Sequence, residues 1–473
     1  MQNIMQPSTQ KLFENPAEEV RFSNLDSPAQ VIVDHYRCPE DFVRLDVQGD
    51  LSEQAGYFKF GSESICFARA SVFTPSHAAG EPLYDALAYA RAGRSGISLP
   101  FDVGETVAAL RFERYMRNGH APGALGLLQK SIRASYYAIR PIAPVAVRKH
   151  LQRQSLRGWE KRDFPRWPVD TSVESALETA LRLDMTVQGL QEIPFIWFWP
   201  DGAQACALMT HDVETAAGRD FCLRLMEIND SYGIKSSFQV VPERRYDVPE
   251  SYLQSIRTRG FEVNIHDLNH DGHLFKHYKQ FRRRAEEIEK YRQKFGARGF
   301  RSGVLYRNLD WFDLLHFEYD MSIPNVAHLD PQRGGCCTTF PYFIGNILEI
   351  PVTMVQDYSL FNILRSYTLD LWQKQMDLIR RKYGVMNFIV HPDYITNGRE
   401  QRVYRELLSK LAELRKYAGL WTALPGELND WWRQRSRMKL VRSGSGWEIA
   451  GEGKERARIA CARLQDGQMT YSL

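Results

Sequence analysis

Short apolar runs alternate with amphipathic stretches through the middle of the chain. Runs of a length typical for buried strands occur at residues 205–209, 236–241, 261–265, 385–390 and 419–424. Between them, apolar residues recur every three or four positions, which predicts helices, two of them ending near Gly296 and Gly384. This repeated order of strand and helix predicts an α/β barrel of parallel strands.

The two ends of the chain show other patterns. Residues 1–20 are polar and are expected to be disordered, whereas short β-rich runs at 31–33, 56–60 and 64–68 predict a small sheet. Residues 102–116 then predict a helix. Near the C-terminus, residues 439–449 predict a hairpin in a small β-appendage. We expect this appendage to be a lid packed on the barrel or a sugar-binding element that uses Trp447.

These patterns divide the chain into five parts. They are a disordered N-terminus (1–20), an α+β region (21–129), a basic and aromatic linker region (130–199), a barrel (200–428) and a small β-appendage (429–473).

Residues 130–168 are strongly basic, with ten Lys or Arg residues against two acids and with interleaved aromatic and aliphatic residues. Such a surface can bind an anionic membrane or a polyanionic glycan lipid. The alternative is a solvated face on a linking helix that Pro141 and Pro144 interrupt. Residues 164–168 then read as an extended linker.

Composition narrows the class of protein further. The 473 residues are 44% hydrophobic and 25% charged, which is ordinary for a globular protein, and a net charge of +4 gives no reason to expect nucleic acid binding. Seven cysteines without a Cys-x-x-Cys pair predict neither a disulfide framework nor a structural zinc site. No signal peptide and no membrane-spanning apolar run is visible, so we expect a cytoplasmic protein.

Candidate chemistry follows two of the predicted strands. Asp212 and Glu214 come just past the run 205–209, and His266 and His270 come at and after the run 261–265. Two imidazoles and a carboxylate are a common ligand set for an open catalytic metal site, and a second carboxylate can act as a base. The alternative is a pair of surface histidines, since histidines are locally abundant in this segment.

Four motifs occur in a recognisable order: Thr210-His-Asp212, His266-Asp-Leu-Asn-His270, Phe300-Arg301-Ser-Gly303 and Phe388-Ile-Val-His391. Together they resemble the polysaccharide deacetylase family, also called NodB-homology or carbohydrate esterase family 4, over residues 200–425. The resemblance implies an irregular barrel of seven or eight β/α units. One departure is that Val213 replaces the second Asp of the family's Asp-Asp pair, with the acid displaced to Glu214.

The resemblance also implies residue roles. A divalent metal is expected at Glu214, His266 and His270; zinc is the first expectation, and cobalt, manganese, nickel and iron are alternatives. The implied catalytic residues are Asp212 as base, Arg301 as the cation that holds Asp212, and His391 as general acid. Asp267 or Asp271 would accept a hydrogen bond from a metal-binding imidazole. Tyr306, Trp311 and Asn325 are expected sugar contacts, and His211 receives no role.

The implied activity is removal of the N-acetyl group from an amino sugar in a polysaccharide or lipid-linked glycan precursor. Surface or exported polysaccharide biosynthesis is the expected setting, with peripheral contact to the inner face of the membrane or to the polysaccharide assembly machinery. Two other classes stay open at this point. One is a barrel that has lost catalysis and serves as a glycan-binding or scaffolding subunit, and the other is a non-haem iron oxygenase.

Overall fold

The computed structural model describes residues 28–93, 96–116, 150 and 153–473. The disorder expected for residues 1–20 and most of the basic stretch 130–168 lie outside the described residues.

Among its described residues, the N-terminal part contains two α-helices and two small sheets. Its elements are α1 (Gln30–Tyr36), β1 (Leu45–Val47), β2 (Gly56–Lys59), β3 (Ile65–Ala68), β4 (Arg91–Ala92), β5 (Ile97–Leu99) and α2 (Val103–Arg111). Strand β5 lies between β1 and β4, and β2 pairs with β3.

Two predicted strands of this part are confirmed, the helix predicted for residues 102–116 ends at Arg111, and one predicted strand is wrong. The strands at 56–60 and 64–68 and the helix after Asp102 are present, and the Asp102 side chain caps α2 by accepting a hydrogen bond from the Glu105 N–H. The strand predicted at 31–33 is wrong, because these residues lie in α1. Ile32, Val33 and Tyr36 are buried there at helical spacing, a pattern that three β-branched residues concealed.

The region predicted as a linker also forms regular structure in its second half. It contains a long helix, α3 (Ser172–Gln188), and a strand, β6 (Glu192–Ile196). Ten residues of α3 are buried, so the helix packs inside the protein and does not bridge two separate parts.

The barrel contains nine strands with helices on their outer side. The strands are β7 (Ala205–Val213), β8 (Ser237–Val240), β9 (Glu262–His266), β10 (Gly299–Arg301), β11 (Tyr319–Asp320), β12 (Tyr342–Ile344), β13 (Ile347–Glu349), β14 (Val385–Ile389) and β15 (Leu420–Ala423). The helices are α4 (Ala216–Asp230), α5 (Glu250–Arg257), α6 (Tyr278–Phe295), α7 (Asp370–Arg381), α8 (Gly398–Tyr417) and α9 (Pro425–Arg437).

The sheet curls into an irregular barrel, which confirms the predicted fold class. Its order is β12-β13-β11-β10-β9-β8-β7-β14, all parallel except β12, and β15 also pairs with the first half of β7. The gap between the two ends is bridged by the segment after β13, where the Met354 N–H donates to the Asn387 carbonyl of β14 at 3.3 Å.

Strand β7 shows how the sequence orients the site. Ala205, Ala207 and Met209 belong to the core beneath the outer helices, whereas Cys206 and Leu208 belong to the core that fills the barrel. Because successive side chains of a strand alternate in direction, Thr210 and Asp212 continue the inward-facing row. The inward row therefore changes from apolar to polar towards the carboxyl end of the strand.

The C-terminal part contains β16 (Lys439–Ser443), β17 (Gly446–Ala450), β18 (Ile459–Gln465) and β19 (Gln468–Ser472). The predicted hairpin is present as β16–β17. Strand β18 pairs with β6, so the C-terminal part shares a sheet with the region predicted as a linker. Trp447 contacts the Phe42 ring at 5.9 Å and thus packs on the N-terminal part. Among the described residues, no helix combines the length and hydropathy needed to cross a bilayer.

Candidate active site

Polar side chains from four strands converge at the carboxyl ends of the barrel strands. Asp212 is the penultimate residue of β7, His266 and Arg301 end β9 and β10, and His391 follows β14 by two residues. All four are at most 4% exposed. Parallel strands of a barrel present their carboxyl ends on one face, which is why residues distant in sequence meet here.

Glu214, His266 and His270 form a cluster that fits a divalent cation. Their candidate ligand atoms all lie within 4.8 Å of one another, and Glu214 Oε1 is 2.8 Å from His270 Nε2 and 3.5 Å from His266 Nε2. Both Nε2 atoms are buried and neither is in hydrogen-bond geometry with a described residue. A carboxylate oxygen and two imidazole nitrogens that converge in this way are a donor set that a divalent ion can bind.

The proton on the first imidazole is placed by the backbone. His266 Nδ1 lies 3.1 Å from the Arg301 carbonyl oxygen, which can only accept, so Nδ1 carries a proton and Nε2 is the nitrogen that a cation could bind. The predicted acceptors Asp267 and Asp271 do not serve this purpose. Asp271 pairs instead with Arg284 at 2.5 Å.

The second imidazole has a different neighbour. Arg245 donates to the His270 carbonyl oxygen at 2.6 Å and also lies 3.1 Å from His270 Nδ1. A neutral imidazole that binds a cation through Nε2 carries its proton on Nδ1. A guanidinium cannot accept that proton in a hydrogen bond, so Arg245 would then bond to the His270 carbonyl alone.

The loop that carries His270 is tightly held. Asp267 and His270 both have positive φ angles, of 57° and 53°. A Cβ at Gly303 would lie 2.5 Å from Asp267 Oδ2 and 3.1 Å from His270 Cδ2. The turn after β10 approaches the His270 loop so closely at Gly303 that only glycine fits there. In the sequence, Gly303 stood out only as part of a motif.

Asp212 is held by Arg301. Arg301 Nη1 donates to Asp212 Oδ1 at 2.6 Å and to Thr210 Oγ1 at 2.8 Å. Burial alone would raise the pKa of Asp212, but Arg301, His266 and His391 together outweigh it, and the pKa is lowered from its usual value. Asp212 Oδ2 lies 3.7 Å from His266 Nε2, so this second oxygen faces the cluster while the first is occupied by Arg301.

His391 lies on the other side of the cluster. Its Nε2 is 3.4 Å from Glu214 Oε1, and its Nδ1 donates to Asp357 Oδ1 at 2.7 Å. Asp357 Oδ2 also accepts from the His391 backbone N–H at 2.7 Å. Burial would lower the pKa of His391, but the Asp357 and Glu214 carboxylates together outweigh it, and the pKa stands well above its usual value.

Sequence reasoning missed Asp357. The residue is fully buried and lies 34 positions before the histidine that it orients. The acid closely follows the mostly apolar segment 350–355, which is a weak local signal for a residue at the end of a buried segment.

His211, to which the sequence analysis assigned no role, is a structural residue. It is fully buried outside the barrel, with Nδ1 2.9 Å from the Val390 carbonyl oxygen and Nε2 3.1 Å from Asn229 Nδ2. Burial lowers the pKa of His211 to about 4, which keeps the ring neutral.

The three expected sugar contacts lie in different surroundings. Asn325 is 1% exposed; its side-chain oxygen accepts from the Asp170 N–H, and its amide donates to the Asp170 and Thr338 carbonyls. This contradicts a sugar contact for Asn325, because its amide is committed to the backbone. Trp311 packs against aromatic rings such as Phe281 at 5.3 Å. Tyr306 lies beside Gly272, just past the His270 loop, and stays a predicted contact.

No protein-family model and no curated protein matches the chain. Solved structures similar to it include a Mycobacterium smegmatis protein named as a polysaccharide deacetylase, at 18% identity and a TM-score of 0.41, covering 53% of this chain and 98% of that chain. An allantoinase matches at 13% and 0.38, over 50% and 92% of the two chains. A family 4 acetyl xylan esterase from Clostridium thermocellum, solved with a cobalt ion, matches at 14% and 0.29, over 48% and 91%. Each of these matches covers about half of this chain and most of the other chain.

Proposed function

We propose that the protein is a metal-dependent hydrolase that removes the N-acetyl group from an amino sugar of a glycan. The observation that carries the proposal is the arrangement around Glu214, His266 and His270. A carboxylate held by an arginine lies on one side of this cluster, and an imidazole held by a carboxylate lies on the other. Amide hydrolysis needs such a pair, because one group must take a proton from water and another must give one to the leaving nitrogen.

Glu214, His266 and His270 would hold the ion. A divalent ion bound there would polarise the acetyl carbonyl and make a water molecule more acidic. Asp212 Oδ2, which is free of the Arg301 contact, would accept the proton of the attacking water. His391 Nε2 would donate a proton to the departing nitrogen, while Asp357 keeps the ring oriented through Nδ1.

Metal analysis of the purified protein, combined with acetate release from N-acetylglucosamine oligomers, tests this proposal. We expect about one divalent ion per chain and acetate release that depends on it. His270→Ala should lose both. His273→Ala is the matched control, since this histidine is in the same loop, 43% exposed at its side chain and outside the cluster.

Each other outcome points to a different class. If the protein binds glycan but binds no metal and releases no acetate, the hydrolase proposal is overturned and a binding or scaffolding subunit is favoured. Bound iron with oxygen uptake on substrate addition would favour an oxygenase. Equal loss of metal in the His273→Ala control would mean that the ion is held elsewhere.

The setting of the reaction is a further part of the proposal and depends on sequence alone. A lipid-linked or nucleotide-linked sugar in the assembly of a surface or exported polysaccharide fits a chain with the basic and aromatic stretch around residues 135–157. Co-sedimentation with vesicles at low salt tests this part. We expect binding to anionic but not to zwitterionic vesicles, and equal behaviour with both would remove the membrane contact.

A further inference from the structure

Two tyrosine rings lie beside the imidazole of His391. The ring centroid of Tyr394 is 4.8 Å from that of His391, with 31° between the ring planes. The ring of Tyr358 follows, with its centroid 5.9 Å from that of Tyr394 and the planes at 41°. Both tyrosines are half-buried, so each packs against the protein and keeps some accessible surface. Tyr358 and Tyr394, which we call the tyrosine pair, therefore form an aromatic wall on the side of the metal cluster where His391 lies.

A short 3₁₀ turn places Tyr394 next to His391. The turn comprises Pro392–Tyr394 and begins directly after His391, and the Tyr394 N–H donates to the His391 carbonyl oxygen at 3.1 Å. Side chains three residues apart eclipse in a 3₁₀ turn, which is why the two rings lie together. Pro392 has the fixed φ angle that the first position of such a turn needs. The local sequence therefore sets this contact.

Asp357 connects Tyr358 to the same imidazole. Asp357 Oδ1 accepts hydrogen bonds from His391 Nδ1 and from the Tyr358 N–H, both at 2.7 Å. The backbone of Tyr358 is thus tied to the carboxylate that orients His391. The two rings of the tyrosine pair come from different segments, one after β13 and one after β14, that meet at a single carboxylate.

The hydroxyl group of Tyr394 is available to a ligand. It forms no hydrogen bond with any residue that the structure describes, and its oxygen is not sealed from solvent. Burial, together with the nearby Glu214 carboxylate, raises the pKa of Tyr394 well above its usual range. The hydroxyl therefore keeps its proton at neutral pH and can donate a hydrogen bond.

The chemistry of amide hydrolysis decides what this wall would face. The leaving nitrogen is bonded to the acetyl carbon on one side and to a sugar carbon on the other. A carbonyl at the metal cluster and a nitrogen at His391 therefore put the sugar ring beyond His391, against the tyrosine pair. A pyranose ring has C–H groups on its faces and hydroxyls at its edge, which matches flat aromatic faces that carry a hydroxyl.

We propose that the tyrosine pair is the platform on which the sugar ring that bears the acetamido group rests. This inference rests on the proposed function and adds two specificity-determining residues to it. The alternative is that the tyrosines only pack around His391 and hold it in place. The two roles differ in the kinetic constant that they affect, because a platform contributes to substrate binding whereas packing around His391 contributes to proton transfer.

Acetate release from the N-acetylglucosamine trimer by the metal-loaded protein tests the proposal. Tyr394→Ala should raise KM by about tenfold and change kcat by less than about twofold, because it removes stacking and a hydrogen bond from bound substrate and transition state alike. Tyr394→Phe loses only the hydroxyl and should raise KM by about threefold. Tyr417→Ala is the control and should change neither constant, since Tyr417 is 73% exposed at the end of α8, just before β15 begins.

A second measurement does not need turnover. Calorimetric titration of Asp212→Asn with the trimer gives a dissociation constant, and adding Tyr358→Ala should raise it by about threefold or more. This arm keeps the test decisive if Tyr394→Ala does not fold.

Three results would overturn the platform while the proposed function stands. They are an unchanged KM in Tyr394→Ala, an unchanged dissociation constant on adding Tyr358→Ala, and a Tyr394→Ala variant that lowers kcat and shifts the pH–rate profile at constant KM. The last pattern would mean that Tyr394 only holds His391. Absence of acetate release from the unaltered protein is distinguishable from these, because it would overturn the proposed function and the platform with it.

Discussion

Exchanging Asp212 and Glu214, at the end of β7 and just after it, for their amides separates the metal ligand from the base. Glu214 Oε1 lies 2.8 to 3.5 Å from Nε2 of three imidazoles, those of His266, His270 and His391. Asp212 has one oxygen occupied by Arg301 at 2.6 Å and the other 3.7 Å from the nearest imidazole. We therefore expect Glu214→Gln to impair metal binding and Asp212→Asn to impair turnover.

The expected magnitudes differ between the two variants. Loss of an outer partner of a metal ligand costs about 10- to 100-fold in affinity, so loss of the charged ligand itself in Glu214→Gln should cost at least about 100-fold. Asp212→Asn keeps an oxygen for Arg301, so metal affinity should change by less than about tenfold, while loss of the base should lower kcat by about 100- to 10,000-fold.

Competition with a chromophoric chelator measures the affinity, and acetate release at saturating metal measures the turnover. Thermal unfolding of both variants is the necessary control, because removing one partner of a buried ion pair can cost about 3–5 kcal/mol. If Asp212→Asn lost the metal while Glu214→Gln kept it, Asp212 would be the ligand and our assignment of the two acids would be reversed.

Three further variants test the surroundings of the site. Asp357→Asn should shift the alkaline limb of the pH–rate profile to lower pH, because the carboxylate raises the pKa of His391 and activity needs the protonated ring; an unchanged profile would contradict that role. Gly303→Ala should weaken metal binding more than it lowers the melting temperature, since the added Cβ displaces the histidine-bearing loop; intact affinity by chelator competition would refute this. Glu113→Gln, which leaves the buried Arg307 without its carboxylate, should lower stability to urea by about 3–5 kcal/mol; a loss below about 1 kcal/mol would show that this pair does not fasten the N-terminal part to the barrel.

The sequence by itself determined the residues of the cluster. The apolar runs before Asp212 and His266 predict the strands that carry them. The geometry of an extended strand then points Asp212 to the same side as Thr210. The carboxyl ends of parallel strands meet on one face, so the strand ends and their parallel order place these acids and imidazoles on the same face of the barrel. Their roles came from the family resemblance.

Tertiary structure decided the partners that these residues have. Asp357 orients His391 across 34 positions, and Asn325 holds the backbone of Asp170 across 155. The strand β6 pairs with β18 from the far end of the chain. Contacts between residues so distant leave no local periodicity, because each segment shows only its own burial and turn pattern. The sequence therefore predicted which side chains reach the site, and only the folded chain fixed which neighbours set their orientation and charge.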